Sequence, residues 1–463
     1  MSSQAIRPMA HPAEEGSRRK WEVIDENVLK WTALLLSILS SGVLIISMHE
    51  TSDWILGLAL LVGVALALAE FDLFHPYTWY VPFFFLYSAS VPILVWLEIK
   101  EDIGDLQETV FLEWLALTVF LLVVGPVGRK LMLPSQQLPR MKVMAWVLLT
   151  LSMAVSAAYL GHIWQNNLAS KYEIALSPSV LARLDPAFSV YALVYTMLLC
   201  IAFQHKVFPW GLIVCALGWN VLAFLLSGER DLVFRILWIT VFLFHGLYRP
   251  LSRGVLAGIA VAFITLVPIL GDLKNVLLSE TEPTVILNAL ALRVLNDEFL
   301  TGSENLQFYL RNAGFEPFYF GETLLWDLKR AFLPGFIFPE GPDPQRYFNM
   351  TFFPEIVEQG GGRGFTLVGE GYMNFGALGV VLWFVFLGLF VRYLYERGTR
   401  SVTWFAVYVV SMPLIIYVIR ADFSNLIAQY TKHIIIPMLL LHVGQRILCG
   451  ALEYRQSCKA PVS

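Results

Sequence analysis

Charge is what this chain has least of. Of its 463 residues only 15% are Asp, Glu, Lys or Arg, against 57% hydrophobic and 14% aromatic, with a mean hydropathy of +0.64. That excludes a soluble globular chain, whose charged share is about a quarter. The formal net charge of −4 offers no basic footprint for nucleic acid. Cysteine is scarce too. Cys200, Cys215, Cys449 and Cys458 fall in apolar runs or on the side read below as cytoplasmic, which excludes a disulfide in the external loops. Also missing are G-x-x-x-x-G-K-[ST], G-x-G-x-x-G, G-x-S-x-G and metal-type Cys/His spacings. No cofactor and no metal are therefore expected.

Long apolar runs are what the chain does have. A bilayer core of about 30 Å takes roughly 17–25 mostly apolar residues per helical crossing. The sequence offers such runs at 31–48, 54–70, 79–97, 110–127, 143–160, 188–204, 209–226, 232–247, 254–271, 374–391, 402–419 and 431–448. An all-α polytopic membrane protein with about twelve transmembrane helices is expected. Lys and Arg cluster before the first run and after the fourth, eighth, tenth and twelfth, while loops such as HETSD (49–53) are acidic or neutral. Positive flanks stay cytoplasmic, so both termini are expected there. Residues 1–30 are polar and mixed in charge, with no signal-peptide pattern.

The predicted organisation is an N-terminal tail (1–30), helices one to nine (31–271), a large external loop (272–373), helices ten to twelve (374–448) and a C-terminal tail (449–463). Loops this long inside compact proteins usually carry function. The loop holds helix-like patches at 285–300 and 305–314. They precede AFLPGFIFPEGPDPQRYF (331–348), whose prolines exclude a regular helix.

Charged side chains at membrane depth are costly and therefore informative. Three external edges carry an arginine with a nearby carboxylate: Arg230 with Glu229 and Asp231, Arg363 with Glu370, and Arg420 with Asp422. The bland reading is a set of interfacial ion pairs. Converging guanidinium groups would instead suit a phosphate-rich ligand, because Arg offers planar, bidentate donors. Glycines 360–362, 364, 369 and 371 would allow close backbone approach or positive φ. His433, at the outer end of the last run, is a weaker candidate, read first as an interfacial hydrogen-bonder. The E-x-D pair Glu70 and Asp72 reads as a solvated cytoplasmic edge.

LLSGERDLVFR (225–235), AFLPGFIFPEGP, GRGFTLVGEGYMNFGALGVVLWFVFLGL and VIRADFSN (418–425) together resemble Wzy-type oligosaccharide repeat-unit polymerases, the O-antigen and exopolysaccharide polymerases of bacterial inner membranes. The E-x-Y-x-N-F-G run, Glu370 to Gly376, is the most specific of these motifs. The resemblance implies a GT-C-like membrane glycosyltransferase whose external loop is periplasmic. Its substrates would be oligosaccharides linked to undecaprenyl pyrophosphate, with a chain-length regulator as a partner. Arg230, Arg363 and Arg420 would then face the pyrophosphate, with Tyr372 and Asn374 as further substrate contacts. The attacking hydroxyl needs a base, for which Glu370, Asp422 and His433 are the candidates in that order. The alternatives are an O-antigen ligase and a flippase; no internal repeat of the transporter kind is evident.

Overall fold

The computed structural model describes residues 13–126, 131, 138–166, 168, 179–259, 261–262, 298–313, 318–332, 344–358, 362–444 and 446. Among them the chain is all-helical, with no strand. The helices are α1 (Ala13–Ser47), α2 (Thr51–Leu68), α3 (Pro76–Trp96), α4 (Leu106–Val124), α5 (Leu138–Gln165), α6 (Ala187–Gln204), α7 (Trp210–Ser227) and α8 (Arg230–Leu243). The second half adds α9 (Glu298–Ala313), α10 (Glu322–Phe332), α11 (Pro344–Phe352), α12 (Pro354–Glu358), α13 (Leu367–Phe375), α14 (Ala377–Gly398), α15 (Val402–Val418) and α16 (Phe423–Tyr430).

Ten described stretches are helical, long and apolar enough to cross a membrane: 26–47, 51–68, 76–96, 106–124, 142–165, 187–204, 210–227, 231–248, 377–398 and 423–444. Each meets a predicted run. The short apolar α15 meets another, its 17 residues giving about 26 Å at the helical rise. The predicted ninth run, 254–271, and the patch 285–300 lie mostly outside the described residues. Two predicted boundaries shift. The last helical segment opens at Phe423 rather than near 431, and the tenth opens at Ala377 because Gly376, at φ +60°, breaks the chain there.

The core is built around α6 and α15, whose side chains are buried on nearly every face. An apolar helix closed in on all sides must sit inside a larger bundle. Leu35, Leu39 and Ile46 on α1, and Leu378, Phe386 and Leu389 on α14, are exposed, as lipid-facing stripes require. Buried polar groups are tied internally: Trp79 Nε1 donates to the Tyr408 hydroxyl at 2.9 Å, and Tyr77 Oη donates to the Leu121 carbonyl at 2.6 Å. Cys200 is buried and Cys215 exposed, both free thiols; Cys449 and Cys458 lie outside the described residues.

Helices α9 to α13 gather at one end of the bundle. Helix α9 docks on the α3–α4 connection, where Lys100 pairs with Glu304 at 2.8 Å and Gln307 Nε2 donates to Asp102 at 2.6 Å. Its Asn305 Nδ2 reaches the Gly364 carbonyl at 2.7 Å. Helix α9 thus braces the extended segment that leads into α13.

Candidate active site

Helix α13 carries the E-x-Y-x-N-F-G motif. Thr366 caps it, its Oγ1 accepting from the Gly369 N–H at 2.9 Å. It folds back along α14, so close that a Cβ on Gly379 would sit 1.8 Å from the Gly371 carbonyl oxygen. This packing corrects the sequence reading of the glycines. None of Gly362, Gly364, Gly369 and Gly371 has positive φ, and Gly364 and Gly371 bring backbone segments into close contact. Gly360 and Gly361 lie outside the described residues.

Glu370 sits at the centre of this knot with no solvent exposure. Its Oε2 accepts from the Phe423 N–H at 2.5 Å, and its Oε1 accepts from Thr323 Oγ1 on α10 at 3.2 Å. Asn374, one turn on, donates from Nδ2 to Thr323 Oγ1 at 2.8 Å and to the Glu370 carbonyl at 2.9 Å, while its Oδ1 accepts from the Gly321 N–H at 2.9 Å. An amide nitrogen can only donate, so the Thr323 hydroxyl proton is left for the Glu370 carboxylate. Asn374 thus holds the site together. Asp422 is also fully buried and caps α16: its Oδ1 accepts from the Asn425 N–H at 2.8 Å and from Asn425 Nδ2 at 2.7 Å. Both candidate carboxylates therefore converge on the N-terminus of α16, where N–H groups and the helix dipole favour negative charge.

The arginines are brought together in part. The segment of Arg363 touches that of Arg420, because a Cβ on Gly364 would lie 2.5 Å from the Arg420 carbonyl oxygen. The side-chain amide of Asn349 pairs with both backbone groups of Arg363, accepting from its N–H at 2.5 Å and donating to its carbonyl at 2.8 Å. The guanidinium of Arg363 lies 4.2 Å over the Phe353 ring and that of Arg420 lies 4.7 Å over Tyr417. Arg363 is not paired with Glu370, contrary to the sequence expectation; its charge rests on an aromatic face. Arg230 opens α8, and its side chain lies outside the described atoms.

Tyr372 projects the other way on α13, its hydroxyl donating to Glu108 Oε1 on α4 at 3.3 Å. Burial, with the Glu108 and Asp105 carboxylates adding, holds its hydroxyl above the usual tyrosine range. It stays a neutral donor at physiological pH.

His433 belongs to a second cluster. A π-helical turn, Thr431–Ile435, continues α16 and directs His433 toward α6 and α8. Its Nδ1 meets Ser189 Oγ and, at 3.2 Å, a guanidinium nitrogen of the buried Arg235, which also donates to Asp231 at 3.2 Å. A guanidinium cannot accept. Nδ1 must therefore be the accepting nitrogen, and Nε2 carries the proton. Arranged so, His433 presents a donor at Nε2. Beside it, Lys432 pairs with Asp185.

Sequence reasoning missed Thr323, Asn349, Asn305, Ser189 and Arg235. Only Arg235 left a signal, an arginine at i+4 from Asp231 inside an apolar helix. The E-x-D pair sits at a turn where Glu70 Oε1 meets Lys30 at 3.1 Å and Asp72 Oδ1 accepts from the Phe74 N–H at 3.1 Å.

Fold and site together define a polytopic helical membrane protein with buried carboxylates and half-buried arginines gathered at one end of its bundle. Residues 347–450 match the family model described as O-antigen polysaccharide polymerase Wzy. Residues 347–450 are thus similar to the Wzy type, as the motifs within that stretch suggested. No curated protein and no solved structure matches the chain. The match takes in Arg363, Glu370, Tyr372, Asn374, Arg420, Asp422 and His433, and it supports O-antigen repeat-unit polymerisation in general.

Proposed function

We propose that the protein is a membrane glycosyltransferase that joins oligosaccharide repeat units, carried on undecaprenyl pyrophosphate, into a polysaccharide at the periplasmic face of the inner membrane. The observation that carries this reading is the gathering of Arg363, Glu370, Arg420 and Asp422 about the N-terminus of α16, inside the stretch that matches the polymerase family.

In this reaction the hydroxyl of one lipid-linked unit attacks the anomeric carbon of the growing chain. The bond from that carbon to the pyrophosphate oxygen breaks, a new glycosidic bond forms, and the hydroxyl proton passes to a base. Negative charge develops on the leaving pyrophosphate. Arg363 and Arg420, with Arg230 as the third candidate, supply fixed positive charge for it; one preorganised donor of this kind is worth about 2.7–4 kcal/mol. Cation–π seating of two of them on Phe353 and Tyr417 limits their rotamers before substrate arrives. Glu370 or Asp422 takes the proton. Tyr372, held as a neutral donor by Glu108, is suited to a sugar hydroxyl. Asn374 contributes by positioning Thr323 and Glu370.

The test separates base from framework. Glu370→Gln leaves a carbonyl to accept from Phe423, and Asp422→Asn leaves a capping residue of equal quality. Each variant should fold and bind lipid-linked donor. The one that removes the base should lose long-glycan formation in reconstituted vesicles. Wild-type chain extension by both amide variants and by Arg363→Ala and Arg420→Ala would exclude this centre. The arginine seats bear on a ligase as well; lipid A core offered as acceptor in the same vesicles distinguishes the two.

A further inference from the structure

Helix α10 has two unlike faces. Its buried side carries Thr323, which holds Glu370 and Asn374. Its open side presents Leu325, 60% exposed, and Leu328, 41% exposed, and the turn leading into it presents Phe318 and Phe320, the latter 72% exposed. Scattered exposed apolar residues are ordinary, whereas four on one short element form a patch that calls for a partner.

The structure also sets where this patch lies. The N–H groups of Tyr319 and Phe320 donate to the carbonyls of Met373 and Asn374 at 3.2 and 3.1 Å, which pins the start of α10 beside Ala377, the first residue of the span 377–398. Further along, α10 packs against α16, which opens the span 423–444. The helix therefore bridges the ends of two membrane spans at their own level; its 11 residues reach about 16 Å. The apolar patch continues the lipid-facing stripe of α14. Phe320 and Phe318 meet Phe375 and Tyr372 edge-on, and the stripe runs on through the exposed Leu378, Leu382, Phe386 and Leu389. Lys329 lies with its ammonium 5.7 Å from the centre of the Trp326 ring. Trp beside Lys is a pairing suited to the headgroup boundary, where a ring is half-wet and an ammonium meets phosphate.

We propose that α10 is an interfacial helix whose Phe318, Phe320, Leu325 and Leu328 lie among the acyl chains of the leaflet at this end of the bundle. Helices of this amphipathic kind bury their apolar face to the depth of the headgroup and acyl boundary. The consequence is positional. The helix that holds Glu370 through Thr323 is itself held at the bilayer surface, which fixes the carboxylate's height relative to lipid headgroups.

The test reads lipid contact directly and does not depend on the proposed activity. Single cysteines at Leu325 and Leu328, and at Leu382 as a lipid-facing reference, are placed in the full chain with its four native cysteines replaced. Each is labelled with bimane and reconstituted into phosphatidylcholine/phosphatidylglycerol vesicles. Lipids carrying a nitroxide near the headgroup should quench Leu325 and Leu328 at least half as strongly as they quench Leu382, while aqueous iodide quenches them weakly. Strong iodide quenching without lipid quenching would overturn the proposal, as an exposed aqueous helix. Protection from both quenchers would overturn it too, because the face would then be covered by protein, such as a second copy. A chain that passes this test yet never polymerises leaves α10 at the membrane and refutes only the enzymatic reading.

Discussion

Among the described residues, the polar clusters around Glu370 and around His433 meet burial in opposite ways. Around Glu370 and Asp422 the charge is negative, and the partners are backbone N–H groups, a hydroxyl and amides at a helix N-terminus. Around His433 the charge is positive, from Arg235 and Lys432, and it is met by Asp231, Asp185 and an imidazole nitrogen. In the first cluster backbone N–H groups, a hydroxyl and an amide donate to the carboxylates. In the second, charge meets charge, and the imidazole is locked in one tautomer. The lesson is that proximity to the family motif does not by itself mark a base. What matters is which donors the candidate's lone pairs already accept from.

The largest effect separates the clusters. If Glu370 or Asp422 is the base, its amide variant should lower the rate of chain extension about 10²- to 10⁴-fold per folded molecule. His433→Phe should cost roughly 1–3 kcal/mol of stability, since the donors facing Nδ1 lose their acceptor, yet change the rate per folded molecule only a few-fold. Rates come from long-glycan formation, normalised to monodisperse protein. A hundredfold loss in His433→Phe with intact Glu370→Gln and Asp422→Asn would reverse the assignment of roles.

A pH effect of up to roughly 3 kcal/mol is expected at the opposite end of the bundle. His75 caps α3, its Nδ1 accepting from the Tyr77 N–H at 3.2 Å, and burial, with the Lys30 charge adding, pushes it down to about 4. The unfolded chain, with an ordinary histidine near 6.5, takes up a proton that the folded chain refuses. Stability therefore falls as pH drops from about 6.5 to 4, by at most about 1.4 kcal/mol per unit, and this contribution is constant above that window. Thermal unfolding in detergent at stepped pH should show the slope in the native protein and lose it in His75→Asn, which keeps a capping oxygen. An unchanged slope would place the sensitivity elsewhere.

The contact of Gly371 with Gly379 gives the next effect. Gly379→Ala should cost about 1–3 kcal/mol by overpacking, because the new Cβ meets a carbonyl across the helix pair. Gly63→Ala, which meets nothing within 4 Å, should be neutral or slightly stabilising. Equal melting temperatures for the two variants would mean that α13 does not fold back on α14 as described.

How much of this was legible in advance follows from the range of the forces involved. Spans are legible because lipid demands local composition: a run such as WGLIVCALGWNVLAFLLS needs no distant partner to be recognised. Glu370, Tyr372 and Asn374 were legible as a motif, but their arrangement was not. The sequence shows an apolar run continuing through Phe375, while the break at Gly376 depends on α13 finding Gly379 to pack against. Thr323 and Asn349 carry no local signal, for each acts on backbone or carboxylate far away in the chain. The π turn at Thr431–Ile435 is equally silent, and it decides which way His433 faces.

The smallest effect concerns a third set of carboxylates, Glu70 and Asp72, which the sequence reads as a solvated cytoplasmic edge. Glu70 is half exposed, its partner Lys30 largely covered. An exposed pair of this kind contributes about 0–1 kcal/mol, so Glu70→Gln should shift melting by a degree or two at most. Glu70 also sits at φ +53°, a left-handed conformation that costs a non-glycine residue about 1–2 kcal/mol. Glu70→Gly removes the pair and that strain together, and the two terms oppose, so the variant should melt at or slightly above the native temperature. Neither variant should alter chain extension if this edge is only an edge. A large loss of polymerisation in Glu70→Gln, with melting unchanged, would instead mean that chemistry sits at both ends of the bundle, and the contrast between the two clusters would no longer describe where the protein works.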